Sequence, residues 1–186
     1  MRKALLVLFI AGSLIFLMYL VLPGPGSVYV FPDLPDSSRS KLSGDTVEIP
    51  NINAYFSDNY RNYVVPYYQE NYQGFTLFPF KPLRLNYPPE FAFTAIKDQT
   101  QSTYLEELTY PFRDSLFING LEPLDEFGES RYIGATPFEV DGEKHATKVT
   151  LRYYPSSLWT RLIMWAGIVV SVYFLWVMTK RIIFNE

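Results

Sequence analysis

Two uncharged apolar stretches lie near the ends of the chain, at 4–22 and 162–178, and one long polar segment separates them. A helix needs about 20 mainly apolar residues to cross the roughly 30 Å hydrocarbon core of a bilayer. Each stretch approaches that length, and no part of the central segment is comparably apolar. The pattern predicts one transmembrane helix at 4–22 and a second at 158–179, including its interfacial flanks.

Basic side chains lie on the outer flanks of both predicted spans: Arg2, Lys3, Lys180 and Arg181. Such residues are retained preferentially on the cytoplasmic side of a membrane, whereas a long loop is translocated almost regardless of its charge. The sequence therefore predicts a two-pass protein of the cell membrane. Its short termini, 1–3 and 180–186, are expected in the cytoplasm, and residues 23–161 are expected to be extracytoplasmic.

A cleaved signal peptide is the alternative interpretation of the first span, because a basic start followed by an apolar core is its usual form. Two details oppose cleavage. The apolar core at 4–22 is longer than the roughly 7 to 15 residues of a typical signal, and the segment 22–26 lacks a small-x-small cleavage pattern. An uncleaved signal anchor is therefore expected, and cleavage would leave a single-span protein with its domain still outside.

Small residues lie in the middle of both spans, Gly12 and Ser13 in the first and Gly167 and Ser171 in the second. They predict a packing seam between two helices, because small side chains let backbones approach closely; ordinary lipid-facing positions are the alternative. Neither apolar stretch contains an ionisable residue, which argues against a proton relay, an ion path or a transporter. At the edge of the second span, Arg161 is expected to snorkel outward.

The central segment is expected to form one α+β domain held between the two spans. Prolines throughout 23–53 predict an extended linker or an arm lying on the domain, which occupies 54–157. Proline-started and capping-box patterns predict short helices that begin near 88 and 103.

Two turn signals predict antiparallel hairpins in this domain. Asp141-Gly142 lies between the strand-like runs 132–140 and 145–154, and Asn119-Gly120 gives a weaker signal. In the run 145–154, apolar positions alternate with polar ones, among them Lys148. The alternation predicts a strand with one buried face and one wet face.

The segment 54–80 is unusually rich in Tyr and Phe. Phe56, Tyr60, Tyr63 and Tyr67 are spaced as one face of a helix that starts after an N-cap at Ser57. We expect this face to belong to the domain core, since helical spacing of aromatic residues is what a core contact requires. The alternative is an exposed surface in which the three tyrosines bind a glycan or a peptide.

Cysteine is absent and His145 is the only histidine, so the chain has no disulfide or Cys-ligated metal site and little material for a Ser-His-Asp triad. His145 follows a tight turn and is expected to be exposed. The acidic loop 125–129 lacks the ligand register of an EF-hand, and Arg113-Asp114 is expected to be a surface pair. No catalytic residue, metal site or cofactor is predicted.

The formal net charge of the chain is −3, and the basic residues that flank the spans lie outside the central segment, which is therefore more acidic than the whole. An acidic surface without a basic stripe argues against nucleic acid as a partner. Besides the lipid bilayer, the expected partner is an envelope protein or a second copy of the chain.

The leading hypothesis is a non-enzymatic cell-envelope protein that presents its outer domain for structural or assembly interactions. A surface module that binds a glycan or a peptide through 54–80 is the second hypothesis. The third is a membrane-tethered hydrolase, which would need two acidic side chains that converge in a cleft.

Overall fold

A computed structural model describes residues 2–42, 45, 50–73, 84–86 and 112–184 of the chain. These residues form a mixed α+β structure, as predicted. The helices are α1 Arg2–Val21, α2 Arg61–Gln73 and α3 Leu158–Phe184. The strands are β1 Ser37–Arg39, β2 Ile52–Ser57, β3 Arg84–Asn86, β4 Ser115–Leu121, β5 Phe138–Val140, β6 Glu143–His145 and β7 Thr147–Tyr154. The predicted helices near 88 and 103 fall outside the described residues.

The chain divides into two compact units. The first unit consists of 1–24, 111–113 and 156–186, and the second of 25–110 and 114–155. The first contains α1 and α3, and the second contains α2 and the seven strands of the described residues.

In the first unit, the windows Ala4–Val21 and Leu158–Ile182 are long and apolar enough to cross a membrane, by length and composition. Only 6% of the first window and none of the second is buried. Large apolar side chains are exposed along both helices, including Leu8, Ile15, Ile163 and Leu175. Helices that are apolar but almost wholly exposed are not core helices, because core helices bury their apolar faces.

The end of α1 is held by two arginines of the same unit. Arg113 Nη1 donates to the carbonyl oxygens of Tyr19, at 3.0 Å, and Leu22, while Arg161 Nη1 donates to Leu20 O at 3.3 Å. The last carbonyls of a helix lack intrahelical partners and lie at its negative end, so they attract cations. The two guanidinium-bearing residues are only 1% and 6% exposed.

This burial contradicts the expected positions of three charged residues. Arg161 does not snorkel outward, and neither Arg113 nor Asp114 belongs to a surface pair, because both are buried. The two arginines are buried because the last carbonyls of α1 need hydrogen-bond donors. The sequence pattern does not reveal this need.

In the second unit, one five-stranded sheet has the order β1-β2-β7-β4-β3. All pairs are antiparallel except β3 with β4, which is parallel. The hairpin β5–β6 forms a separate two-stranded sheet. Its turn at Asp141-Gly142 has φ angles of 52° and 87°, so the predicted turn is confirmed. The predicted arms, 132–140 and 145–154, are only partly right: Phe138–Val140 pairs with Glu143–His145, whereas Thr147–Tyr154 pairs with β2 and β4 because it forms the centre of the larger sheet.

The hairpin predicted at Asn119-Gly120 is wrong. Both residues lie inside β4, opposite Thr150 and Val149 of β7, and the strand continues to Leu121. Long-range pairing with β7 therefore overrides the local turn preference.

The core of the second unit lies on one face of the sheet. Tyr55, Val149, Leu151 and Ile118 form its strand layer, and Val64 and Tyr68 of α2 pack with them. The segment predicted as a linker or an arm, 23–53, also contributes to this core. Its buried side chains there are Val28, Phe31 and Leu34.

The other face of the sheet is buried as well. Lys148 and Thr150 of β7 are buried, and so are Ala54 and Phe56 of β2. The predicted wet face of β7 is therefore wrong. A strand covered on both faces tolerates polar residues only where they have hydrogen-bond or ionic partners. Lys148 is therefore expected to have such a partner.

Candidate functional site

The second face of the sheet carries a row of three side chains at one end. Ser38 of β1 is directly opposite Phe56 of β2, which is directly opposite Lys148 of β7. Residues that face each other across antiparallel strands project from the same side of the sheet. The row therefore forms a floor on the face opposite the core.

A groove of about 700 Å³ lies over this floor. The hairpin β5–β6 provides one wall, with Phe138, Glu139, Val140 and Asp141. The other wall comes from Arg39 and from the residues that follow β1, Lys41 and Leu42.

Aromatic contacts attach the hairpin to the sheet. The ring centroids of Phe56 and Phe138 are 5.6 Å apart, and the ring of His145 lies 6.2 Å from that of Phe56. His145 is buried, so its predicted exposure is wrong. Packing on Phe56 buries the imidazole even though it follows a tight turn.

A buried ion pair lies at the floor of the groove. Lys148 Nζ lies 2.8 Å from Asp45 Oδ2, and the Ser40 hydroxyl donates to the same carboxylate oxygen. The ammonium also lies 5.3 Å from the centre of the Phe56 ring, within the range of a cation–π interaction. A buried ammonium needs such compensation, because an unpaired charge in the interior is costly.

The chemistry of this cluster favours binding over proton transfer. Asp45 accepts from both Lys148 and Ser40, so the carboxylate is committed to an existing cation and an existing hydroxyl proton. The rim of the groove carries charges of both signs, Arg39 and Lys41 against Glu139 and Asp141. An aromatic floor with a mixed polar rim matches the anatomy of a protein-binding surface.

The tyrosines predicted as a possible ligand surface differ in their exposure. Tyr60 precedes α2 and donates to Asp125 O at 2.7 Å, and Tyr67 donates to Asp33 O at 2.9 Å. Tyr63 is 45% exposed and stacks on Tyr67, with ring centroids 6.0 Å apart. Two of the three hydroxyls thus bond to backbone carbonyls within the unit. Burial raises the pKa of both Tyr60 and Tyr67.

The predicted helix starting after Ser57 is wrong in its boundary. Ser57 is the last residue of β2, Phe56 lies in the sheet, and α2 begins at Arg61. The aromatic spacing across 56–67 therefore joins a strand residue to helix residues. Pairing of the whole of β2 with β7 decides this boundary.

The small residues predicted as a helix seam lie in different surroundings within the first unit. Gly12 and Ser13 line a groove of about 300 Å³ with Ile168 and other residues of α3, and Trp165 Nε1 donates to Ser13 O at 3.0 Å. Gly167 and Ser171 are exposed. A Cβ atom added at Gly12 or Gly167 would meet nothing within 4 Å.

Sequence reasoning missed the groove because it assigned Lys148 to a wet face. One signal was available: Thr147, Val149 and Thr150 make the start of β7 rich in β-branched residues at both odd and even positions. That composition is typical of a strand covered on both faces.

Within the residues that the structure describes, no group of three or more His, Asp or Glu side chains is placed to hold a metal ion. No protein-family model, no curated protein and no solved structure matches this chain.

Proposed function

We propose that this protein is a two-pass membrane protein of the cell envelope whose central domain binds a protein partner. In this proposal both termini are cytoplasmic, α1 is an uncleaved signal anchor, and the domain is extracytoplasmic. The domain serves structural or assembly interactions and carries out no catalysis of its own.

The observation that carries the proposal is the exposed apolar surface of α1 and α3. Almost none of either apolar window is fully buried and many of its large apolar side chains are exposed, and lipid is the environment that would cover them. The basic residues that flank the spans support the orientation through their preference for the cytoplasmic side.

The groove beside Phe56 and Lys148 supports the binding role. Its floor is aromatic and its position is fixed by the hairpin packing and by the ion pair to Asp45. A preformed site loses little entropy when a partner is bound, so it suits a stable assembly.

The absence of cysteine makes the topology directly testable. Single-cysteine variants Lys41→Cys and Ile133→Cys place a thiol at exposed sites of the domain, and Glu186→Cys places one at the C-terminus. We expect a membrane-impermeant maleimide to label the first two in intact cells and the third only after lysis. Labelling of Glu186→Cys in intact cells, or protection of both domain thiols, would overturn the topology.

The binding role is tested by gentle detergent extraction and native separation of the same cells. The wild-type chain should comigrate with one or more envelope proteins. Leu42→Glu, which puts a charge on an exposed groove residue, should weaken that association about tenfold, whereas Leu42→Met should preserve it. Migration of the wild-type chain as an isolated monomer would contradict the proposal.

A further inference from the structure

The loop 122–131 of the second unit exposes a large aromatic side chain. Phe127 is 91% exposed, although a phenyl ring is among the side chains that gain most from burial. A single exposed apolar residue is ordinary on a protein surface. The loop that carries Phe127, however, is held by several hydrogen bonds.

Internal hydrogen bonds hold the tip of this loop. Asp125 Oδ1 accepts from the backbone N–H groups of Phe127, at 2.9 Å, and Glu129, at 2.8 Å. Gly128 has a φ of +82° and its N–H donates to Asp125 O at 3.0 Å. A bridge between Leu124 and Ser130 closes the base of the loop. The backbone beneath Phe127 is therefore preorganised.

The loop is also attached to the start of α2. Arg61 N donates to Glu122 Oε1 at 2.8 Å, and Asn62 Nδ2 donates to Glu126 Oε1 at 2.7 Å. The Tyr60 hydroxyl reaches Asp125 O from the same region. These bonds fix the backbone that carries Phe127, so binding through this loop would cost little main-chain entropy.

Charge distinguishes the possible environments of Phe127. Glu126 and Glu129, both exposed, flank Phe127 closely in sequence and form its acidic rim, while the basic residue of the loop, Arg131, pairs with Glu122 at 3.4 Å. Such a rim repels anionic lipid headgroups. The same rim is complementary to Lys and Arg side chains around an apolar pocket.

We propose that Phe127 is a binding anchor that inserts into an apolar pocket with a basic rim on a protein partner. This inference depends on the proposed function, because it assumes that the domain assembles with another envelope protein. It adds a contact made by a part of the chain that does not line the groove.

A photoreactive benzophenone amino acid at position 127 tests the inference in native membranes. We expect it to form one discrete adduct with a different protein, while the same group at Tyr29, another exposed aromatic position, does not form that adduct. The double change Glu126→Gln and Glu129→Gln should lower the adduct yield about two- to tenfold, as should added salt. Glu143→Gln, also at an exposed position, is the matched control and should leave the yield unchanged.

The affinity of the purified pair provides a second measurement. Phe127→Ala should weaken binding of the captured protein about thirtyfold, as truncation of an interface hot spot does, without lowering the thermal stability of the free chain. An adduct with phospholipid, an adduct with a second copy of the chain, a yield insensitive to charge, or no adduct would each overturn the inference. If the wild-type complex forms and Phe127→Ala leaves its affinity unchanged, this anchor fails but the proposed function stands. If no complex forms, the proposed function itself fails.

Discussion

At the scale of single residues, Lys148 is the side chain whose environment is most demanding. It brings an ammonium into the interior of the second unit, where Asp45, the Ser40–Asp45 hydrogen bond and the Phe56 ring compensate for lost hydration. Removal of one member of a buried pair is costly because it leaves the other charge uncompensated.

We therefore expect Lys148→Ala to lower the free energy of unfolding by about 3–5 kcal/mol. The double variant Lys148→Met with Asp45→Asn should lose clearly less, since neither charge is then left alone and the Asn oxygen can still accept from Ser40. Urea unfolding of the full chain in detergent, followed by near-ultraviolet circular dichroism, measures both. A double variant as unstable as the sum of the Lys148→Met and Asp45→Asn single variants would show that the pair is not coupled.

The sequence predicts residue environments well where they depend on local geometry and poorly where they depend on distant partners. The turn at Asp141-Gly142 was predictable because a two-residue hairpin turn needs two left-handed residues, a conformation that Asp-Gly adopts readily. The burial of His145 and Lys148 was not, because it depends on Phe56, far away in the chain. The β-branched residues of β7 indicate that both of its faces are covered, but they do not identify Phe56 as the contact of Lys148.

At the scale of elements, the end of α1 shows how a helix can depend on remote side chains. Its last carbonyls accept hydrogen bonds from Arg113 and Arg161. The Arg113 guanidinium also lies 5.4 Å from the centre of the Tyr19 ring. Hydrogen bonds from charged donors are the stronger class, so these contacts should restrain the end of the helix.

We expect the double change Arg113→Ala and Arg161→Ala to accelerate amide hydrogen exchange near the end of α1 about ten- to a hundredfold. Arg161→Lys should have a smaller effect, because an ammonium keeps the charge but loses the forked geometry. Exchange of the full chain in detergent, read by mass spectrometry on peptides covering 15–24, gives the measurement. Unchanged exchange there would mean that the arginines do not restrain α1.

The existence of α1 and α3 was predictable, because a long apolar run needs no tertiary information to be recognised. The continuity of β4 was not. Local chemistry at Asn119-Gly120 favours a turn, and only the register with β7 shows that both residues are paired along a straight strand. The groove was missed for the same reason, since its floor joins β1 and β2 to β7, which lies far along the chain.

At the scale of the whole molecule, buried tyrosines link stability to pH. Burial raises the pKa of Tyr55, and a hydrogen bond to Asp33 adds to the shift; burial also raises the pKa of Tyr68. In the unfolded chain both phenols ionise at about pH 10. Above that pH the unfolded state binds fewer protons than the folded state, so stability must fall as pH rises.

We expect these tyrosines to leave the free energy of unfolding unchanged below about pH 10 and to make it decline above that pH. Tyr68→Phe should make the decline less steep. It should leave neutral-pH stability nearly unchanged, because the Tyr68 hydroxyl has no hydrogen-bond partner among the described residues.

Tyr55→Phe should instead lower the free energy of unfolding by about 1–3 kcal/mol at neutral pH, since Asp33 and Asn53 each lose a hydrogen-bond partner. Urea unfolding at several pH values measures these effects, and a wild-type stability that stays level above pH 10 would contradict the linkage.

The pairing of β2 with β7 also has a consequence for biosynthesis. These strands lie near opposite ends of the central segment, yet every residue of β2 is paired with β7, and β4 occupies the other edge of β7. The sheet cannot be completed until residue 154 has been synthesised. Until then, the edges of β2 and β4 that pair with β7 remain exposed and can form non-native strand pairs. The growing chain therefore passes through a long period in which it would benefit from a chaperone.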